Sequence, residues 1–163
     1  MLVDDINIDL LAVFLVNRII VPKMRTRNER SAIVNIASCT GVYLSPRVGV
    51  YSSTKRSVDI YSRILDLENK DKIDILSVRP FGVTTAMMQM KKGPYMLTPR
   101  QCAISSIADL LAGEKFTFSG FKHKLSSVAF QHLSEEERFA LYDFLWAQAR
   151  AQAANWYYWW FIR

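Results

Sequence analysis

Ala32-Ile-Val-Asn-Ile-Ala37, a helical stretch running from Tyr51 to about Glu68, and Ile73-Asp-Ile-Leu-Ser-Val78 decide the fold between them. Each six-residue run is a nearly continuous set of apolar and β-branched side chains, the pattern of a strand buried on both faces of a parallel sheet. Between the runs, a turn-rich loop from Cys39 to Gly49 leads into Tyr51, Val58, Tyr61 and Leu65 at three- and four-residue spacing, which predicts an amphipathic helix. Strand, crossover helix and parallel strand form the basic right-handed unit of a helix-covered sheet. Upstream, Leu10, Leu11, Phe14, Leu15, Val16, Ile19 and Ile20 present a broad apolar face that predicts a helix over 8–24, with Pro22 near its end. Downstream, Thr98-Pro99 is a cap followed by a proline, opening a helix with Ala103, Ile107, Leu110 and Leu111 on one face and Gly113 at its stop. Phe116 to Ser119 alternates like a short third strand. Ser134-Glu-Glu-Glu137 is a capping box that opens a last helix carrying Phe139, Tyr142, Leu145, Trp146 and Ala149. Helix and strand alternate throughout, so the class is α/β.

The composition agrees with a packed domain. Of 163 residues, 50% are hydrophobic and 22% charged, which is neither the apolar-poor chain of a disordered segment nor a low-complexity one. The net charge of +6 arises in the first hundred residues, most densely at Lys23, Arg25, Arg27 and Arg30. That cluster lacks interleaved aromatics and a recognition helix, so it reads as a solvated loop, and no nucleic-acid partner is expected. Cys39 and Cys102 show no CxxC spacing and no neighbouring histidines, which predicts buried free thiols and no metal site. The acidic start, Met1-Leu-Val-Asp-Asp5, is not a secretory signal, and the apolar run Leu10–Val21 contains Asn17 and Arg18 and is too short to span a bilayer.

In open parallel sheets, ligands bind beyond the carboxyl ends of the strands. Directly after the first strand stands Ser38; Tyr51 follows thirteen residues later and Lys55 four after that, on the same helix face. An adjacent cation stabilises a phenolate, so Lys55 brings Tyr51 toward use as a proton donor and acceptor, while a serine hydroxyl can bind a carbonyl. After the second strand, Arg79-Pro-Phe-Gly-Val-Thr-Thr85 turns away from the sheet at the same edge.

Taken together, Ser38, Tyr51-Ser-Ser-Thr-Lys55 and the Pro-x-x-Val-x-Thr of Pro80 to Thr85 resemble the catalytic half of a short-chain dehydrogenase/reductase. Ile6-Asn-Ile-Asp9, Val21-Pro-Lys-Met24, Ala32 to Ser38 and Ser119-Gly-Phe-Lys-His123 are similar to the branch of very-long-chain 3-oxoacyl-CoA reductases and 17β-hydroxysteroid dehydrogenases. The resemblance implies that Ser38 orients a ketone, that Tyr51 is the general acid, and that Lys55 lowers the Tyr51 pKa and binds the nicotinamide ribose. It implies further that Val83 and Thr85 contact the cofactor, NADP(H), and that the substrate is a lipid-like ketone, a 3-oxoacyl thioester or a ketosteroid. An endoplasmic-reticulum location follows from the same likeness, with a cytoplasmic one expected otherwise; a homodimer is expected to pair through the first two helices or the open strand edge.

Two departures stand beside it. The family's asparagine on the first helix aligns with Asp9, a carboxylate that would partly cancel the Lys55 field on Tyr51. No G-x-x-x-G-x-G occurs, and six glycines are about half of the usual share. The expectation is therefore a partial domain over 1–150, the C-terminal part of a Rossmann-like doubly wound sheet without its nucleotide-binding half, inactive and unable to hold cofactor by itself, followed by an aromatic tail over 151–163. A non-catalytic binding or scaffold protein derived from the same fold is the alternative. The six aromatics at 156–161 suit a membrane interface or docking on the core, and Met87, Met88, Met90 and Met96 suit a lid over an apolar substrate or ordinary packing. His123 and His132 read as surface or packing residues rather than ligands.

Overall fold

The computed structural model describes residues 2–85, 93 and 95–152. Its order is α1 (Leu2–Ile6), a π-helical turn (Asn7–Leu11), α2 (Ala12–Arg25), β1 (Ser31–Ile36), a 3-10 turn (Cys39–Gly41), α3 (Gly49–Asn69), β2 (Ile73–Val78), α4 (Pro99–Leu111), β3 (Phe116–Thr117), α5 (Gly120–His132) and α6 (Glu135–Gln152). The three strands form one parallel sheet in the order β1-β2-β3, the α/β architecture expected. β1 and β2 pair from Ser31↔Ile73 to Ile36↔Val78, with α3 as the crossover. Among the described residues no helix is long and apolar enough to cross a membrane.

β2 is the middle of the core: Ile73, Ile75, Leu76, Ser77 and Val78 are all sealed from solvent. Val21 of α2, Ile33 of β1 and Leu65 of α3 close around its first half. A second, aromatic cluster of Tyr43, Phe118, Phe130 and Tyr142, with Cys39, lies beyond the strands' carboxyl ends. A buried ion pair fastens the two halves. Asp59 of α3 receives two hydrogen bonds from the Arg79 guanidinium, at 2.6 and 2.9 Å, and one from the Ser77 hydroxyl at 2.6 Å. The guanidinium also lies 3.9 Å from the centroid of the partly exposed Phe116 ring, a cation–π contact. The basic cluster read as a solvated loop has partners too: Arg30 binds Asp74 through two bonds of 2.7 Å and Arg25 pairs with Asp71 at 3.1 Å, fixing the start of β1 against the α3–β2 turn.

Several faces turn the opposite way from the sequence reading. β1 buries Ser31, Ile33 and Asn35 but exposes Ala32, Val34 and Ile36, so it is covered on one face and not on both. The helix expected over 8–24 begins at Leu2 and runs helically through the π turn to Arg25, and Leu11, Leu15, Val16 and Ile19 of its apolar face are exposed. In α4, Ile107 and Leu111 point outward and Ser106 inward, because the neighbouring α5 is met by small polar side chains that bond across at Ser106 Oγ and Ser119 Oγ, 2.7 Å apart. β3 spans two residues, not four. Helix α5 has no counterpart in the sequence reading: its apolar residues Phe121, Leu125 and Val128 face solvent, and its inward face carries His123 and Ser127 beside Phe130, which no hydrophobic period reveals. Both caps hold as read. Thr98 and Gln101 form a reciprocal box at α4, and Ser134 and Glu137 form one at α6. Cys39 is buried, whereas Cys102 is only half-buried. Met87, Met88 and Met90 and the aromatics at 156–161 lie outside the described residues.

Candidate active site

Ser38, Tyr51 and Lys55 meet at the carboxyl edge of the sheet. The edge is made by the chain leaving β1 beside the chain leaving β2: the Ala37 N–H donates to the Val78 carbonyl at 2.7 Å and the Cys39 N–H to that of Pro80 at 3.1 Å. Ser38 is buried, its backbone extended, and it caps the 3-10 turn. The Thr40 N–H and Thr40 hydroxyl both donate to Ser38 Oγ, at 3.2 and 3.0 Å. With those lone pairs engaged, the Ser38 proton remains available to a neighbour, and Ser38 favours the ionised form of the Tyr51 phenol.

Tyr51 lies in the first turn of α3 and Lys55 one turn on. Burial pushes the Tyr51 phenol up to about 12; the polar Ser38 side chain opposes that, and the nearby Asp9 adds to it. The Lys55 ammonium stands 5.6 Å from the Tyr51 ring centroid. Its nearest charge is Asp9, whose Oδ1 is 3.1 Å from Lys55 Nζ, with both side chains mostly buried. Lys55 Nζ also donates to the Ile36 carbonyl at 3.4 Å. Asp9 reaches Lys55 from the centre of the π turn, where Ala12 N–H bonds five residues back to the Asn7 carbonyl. Such single π turns widen a helix locally and re-aim a side chain.

Val83 and Thr85 follow β2 on the same edge, held by a bridge between Val83 and Leu97. The Thr84 N–H donates to the Leu97 carbonyl at 2.9 Å and the Thr85 N–H to that of Val83 at 2.8 Å. Thr85 is exposed and Val83 half-buried. All six residues singled out from the sequence are therefore described, with Ser38, Tyr51, Lys55 and Asp9 in one connected group and Val83 and Thr85 on the adjoining loop.

Gly41 is a site residue that sequence reading missed. A Cβ there would come within 2.7 Å of the Arg56 nitrogen and 2.8 Å of the Lys55 carbonyl carbon. Only glycine lets the turn carrying Ser38 lie directly on the α3 backbone. Its signal was available in the short Ser38-to-Gly41 spacing. His123, read as a surface or packing residue, is wholly buried beside the post-β2 loop; His132 is exposed.

Comparison with known proteins places this arrangement among relatives. The family model described as short chain dehydrogenase matches residues 3–94. Over 88 residues, 53% of the chain, the sequence is 44% identical to very-long-chain 3-oxoacyl-CoA reductase-B of Danio rerio and 41% identical to reductase-A of the same species. The aligned stretch is 28% and 27% of those two proteins, so the chain corresponds to a minor part of their length. A solved structure of a 7beta-hydroxysteroid dehydrogenase superposes with a TM-score of 0.68 at 22% identity, covering 85% of this chain and 56% of the other.

Proposed function

The chain belongs to the short-chain dehydrogenase family, and from that premise we propose that Ser38, Tyr51 and Lys55 form the carbonyl-reducing site of an oxidoreductase that uses NADP(H) and acts on a lipid-like ketone, a 3-oxoacyl thioester or a ketosteroid. The observation that carries the reading is the gathering of Ser38, Tyr51 and Lys55 at one sheet edge, with the Lys55 ammonium 5.6 Å from the Tyr51 ring centroid. Ser38 and Tyr51 converge on one point. A ketone oxygen placed there accepts from both hydroxyls, and the Tyr51 proton passes to it as charge develops on the oxygen. Lys55 lowers the cost of the phenolate left behind.

The residues fit the nicotinamide end of the cofactor: an exposed threonine hydroxyl at Thr85, the Val83 backbone and the Lys55 ammonium border the same edge as Ser38. A reduced nicotinamide bound there supplies hydride to the carbonyl carbon. Lys55 and Tyr51 would hold its ribose, and Val83 and Thr85 its carboxamide and phosphate region. The likeness to the Danio rerio reductases favours the 3-oxoacyl thioester and, with it, work at the endoplasmic reticulum. A homodimer packing through the first two helices belongs to the same reading.

One observation favours the second reading, a non-catalytic binding or scaffold protein without cofactor: Asp9 pairs directly with Lys55, and the Tyr51 phenol is pushed up to about 12. The two are separated by NADPH consumption with a long-chain 3-oxoacyl-CoA, measured on the longest natural polypeptide containing these residues. Turnover that falls by about 10²–10⁴-fold in Tyr51→Phe is expected of a positioned general acid. No NADPH binding and no turnover would establish the scaffold.

A further inference from the structure

His123 occupies the space behind the post-β2 loop, fully sealed from solvent, with its ring 5.7 Å from that of Phe81. The Phe81 N–H donates to Nδ1 at 3.3 Å. On the other side of the ring, Nε2 lies 3.1 Å from the Gly82 carbonyl oxygen. Nδ1 is also 3.2 Å from the Phe118 carbonyl oxygen. Two protonation patterns of the neutral ring compete, and the neighbours choose between them. With the proton on Nε2, the ring donates to Gly82 and accepts from Phe81, two bonds against which stands one repulsive contact, the Nδ1 lone pair facing the Phe118 carbonyl. With the proton on Nδ1, it donates to Phe118 but leaves the Phe81 N–H without its acceptor and sets a bare Nε2 lone pair against the Gly82 oxygen. A buried polar group left unpaired is costly, so the Nε2–H form wins.

We propose that His123 is a positioning residue: neutral and protonated on Nε2, it clamps the backbone of Phe81 and Gly82 and thereby sets where Val83 and Thr85 stand at the nicotinamide end of the site. This rests on the cofactor reading of that loop. The clamp is two-sided. The Gly82 carbonyl also accepts from the Leu97 N–H at 3.1 Å, and Leu97 in turn bridges Val83 and accepts from Thr84. Gly82 is thus gripped between α5 and the segment leading to α4, and the residues that follow inherit its position. Only an imidazole offers a donor and an acceptor at opposite corners of one flat ring without carrying charge. Burial holds His123 below the usual histidine pKa; the carbonyls of Gly82, Phe118 and Tyr95 oppose this, and the Lys122 charge adds to it.

The approach of α5 is itself built for this placement. Ser119 and Gly120 both have positive φ, +63° and +61°. A Cβ on Gly120 would stand 3.1 Å from Leu97 Cδ1, so glycine brings the start of the helix onto Leu97. Ser119 is held by its N–H to Thr117 Oγ1 at 2.9 Å and by its hydroxyl to Ser106. One turn on, His123 reaches the loop.

The test uses two variants and the wild-type chain. His123→Phe keeps a flat ring and removes both bonds; His123→Asn puts a carboxamide oxygen near the position of Nδ1 and can still accept from Phe81. In wild type, histidine-labelled NMR should report an Nε2–H tautomer across neutral pH. Amide hydrogen exchange at Phe81 and Val83 should be about tenfold or more faster in His123→Phe, as loss of one buried hydrogen bond implies, and largely restored at Phe81 in His123→Asn. Where NADPH binds, KM for cofactor should rise about tenfold in His123→Phe with kcat at saturation little changed. An Nδ1–H tautomer, or exchange at Phe81 and Val83 in folded His123→Phe equal to wild type, overturns the proposal. Should His123→Phe fail to fold, the wild-type tautomer and His123→Asn still decide. If wild type binds no NADPH, the cofactor reading fails, while exchange at Phe81 and Val83 still reads the clamp.

Discussion

Replacing Asp9 by asparagine removes one charge and almost no volume from the group around Tyr51. The Lys55 ammonium lies 5.6 Å from the Tyr51 ring centroid, where a lone cation would favour the phenolate by about 3 kcal/mol at an effective dielectric constant of about 20. The Asp9 carboxylate sits 3.1 Å from Lys55 Nζ; a carboxylate placed that much farther from the phenol than the ammonium would cancel roughly two-thirds of the benefit. Asp9→Asn should restore on the order of 1–2 kcal/mol, a rise of about tenfold in phenolate population at fixed pH. The direction is downward for the Tyr51 pKa, from its present value of about 12. Phenolate absorbance followed against pH, with the Tyr51→Phe trace subtracted to remove the other tyrosines, measures this directly. In the catalytic protein, turnover should rise at neutral pH and the alkaline limb of its pH profile should move to lower pH. A Tyr51 titration that stays in place or moves upward, or turnover that is unchanged or lower, refutes the reasoning.

Three further outcomes are expected. Asp59→Ala strips the Arg79 guanidinium of its buried partner and should lower the unfolding free energy in urea by about 3–5 kcal/mol. Gly41→Ala places a Cβ against the α3 backbone and should cost about 1–3 kcal/mol, as overpacking does, while displacing Ser38 from Tyr51, read as a change in the Tyr51 titration. Cys39 and Tyr51 are both raised to about 12 in the fold, from 9.0 and 10.0. The folded state therefore holds protons that the unfolded chain releases. Stability should be full below pH 9 and fall as pH rises from about 9 to 12; Cys39→Ala should flatten the lower part of that fall, checked by urea unfolding across the range.

Periodicity located β1, α3 and β2 because each is long enough for its pattern to be counted, and Ser38, Tyr51 and Lys55 were legible because fixed spacing on a strand end and a helix turn leaves them one way to meet. The direction of the faces was less legible. Val34, Ile19 and Leu111 look like core side chains in sequence, yet they are exposed, since an apolar period says that a face exists and nothing about what covers it. Helix α5 fails the same test from the other side: its inward residues are His123, Ser127 and Phe130, whose role depends on backbone carbonyls distant in sequence. Asp9 was placed by alignment with its neighbours, but its direct bond to Lys55 depends on the π turn, which no propensity of Asn7 to Leu11 announces.

Tyr51 and Lys55 lie within the crossover connection that joins β1 to β2, and Ser31 pairs with Ile73 across 42 positions of chain. Closing that loop costs entropy before the strand contacts repay it. Ser38 stands between Ala37 and Cys39, whose N–H groups bond to the carbonyls of Val78 and Pro80, so the site reaches its final geometry only as the sheet closes. The chain through Pro80 is needed for that closure. Maturation of the Tyr51 environment, followed by phenolate absorbance during refolding, should then keep pace with burial of β2 and never run ahead of it.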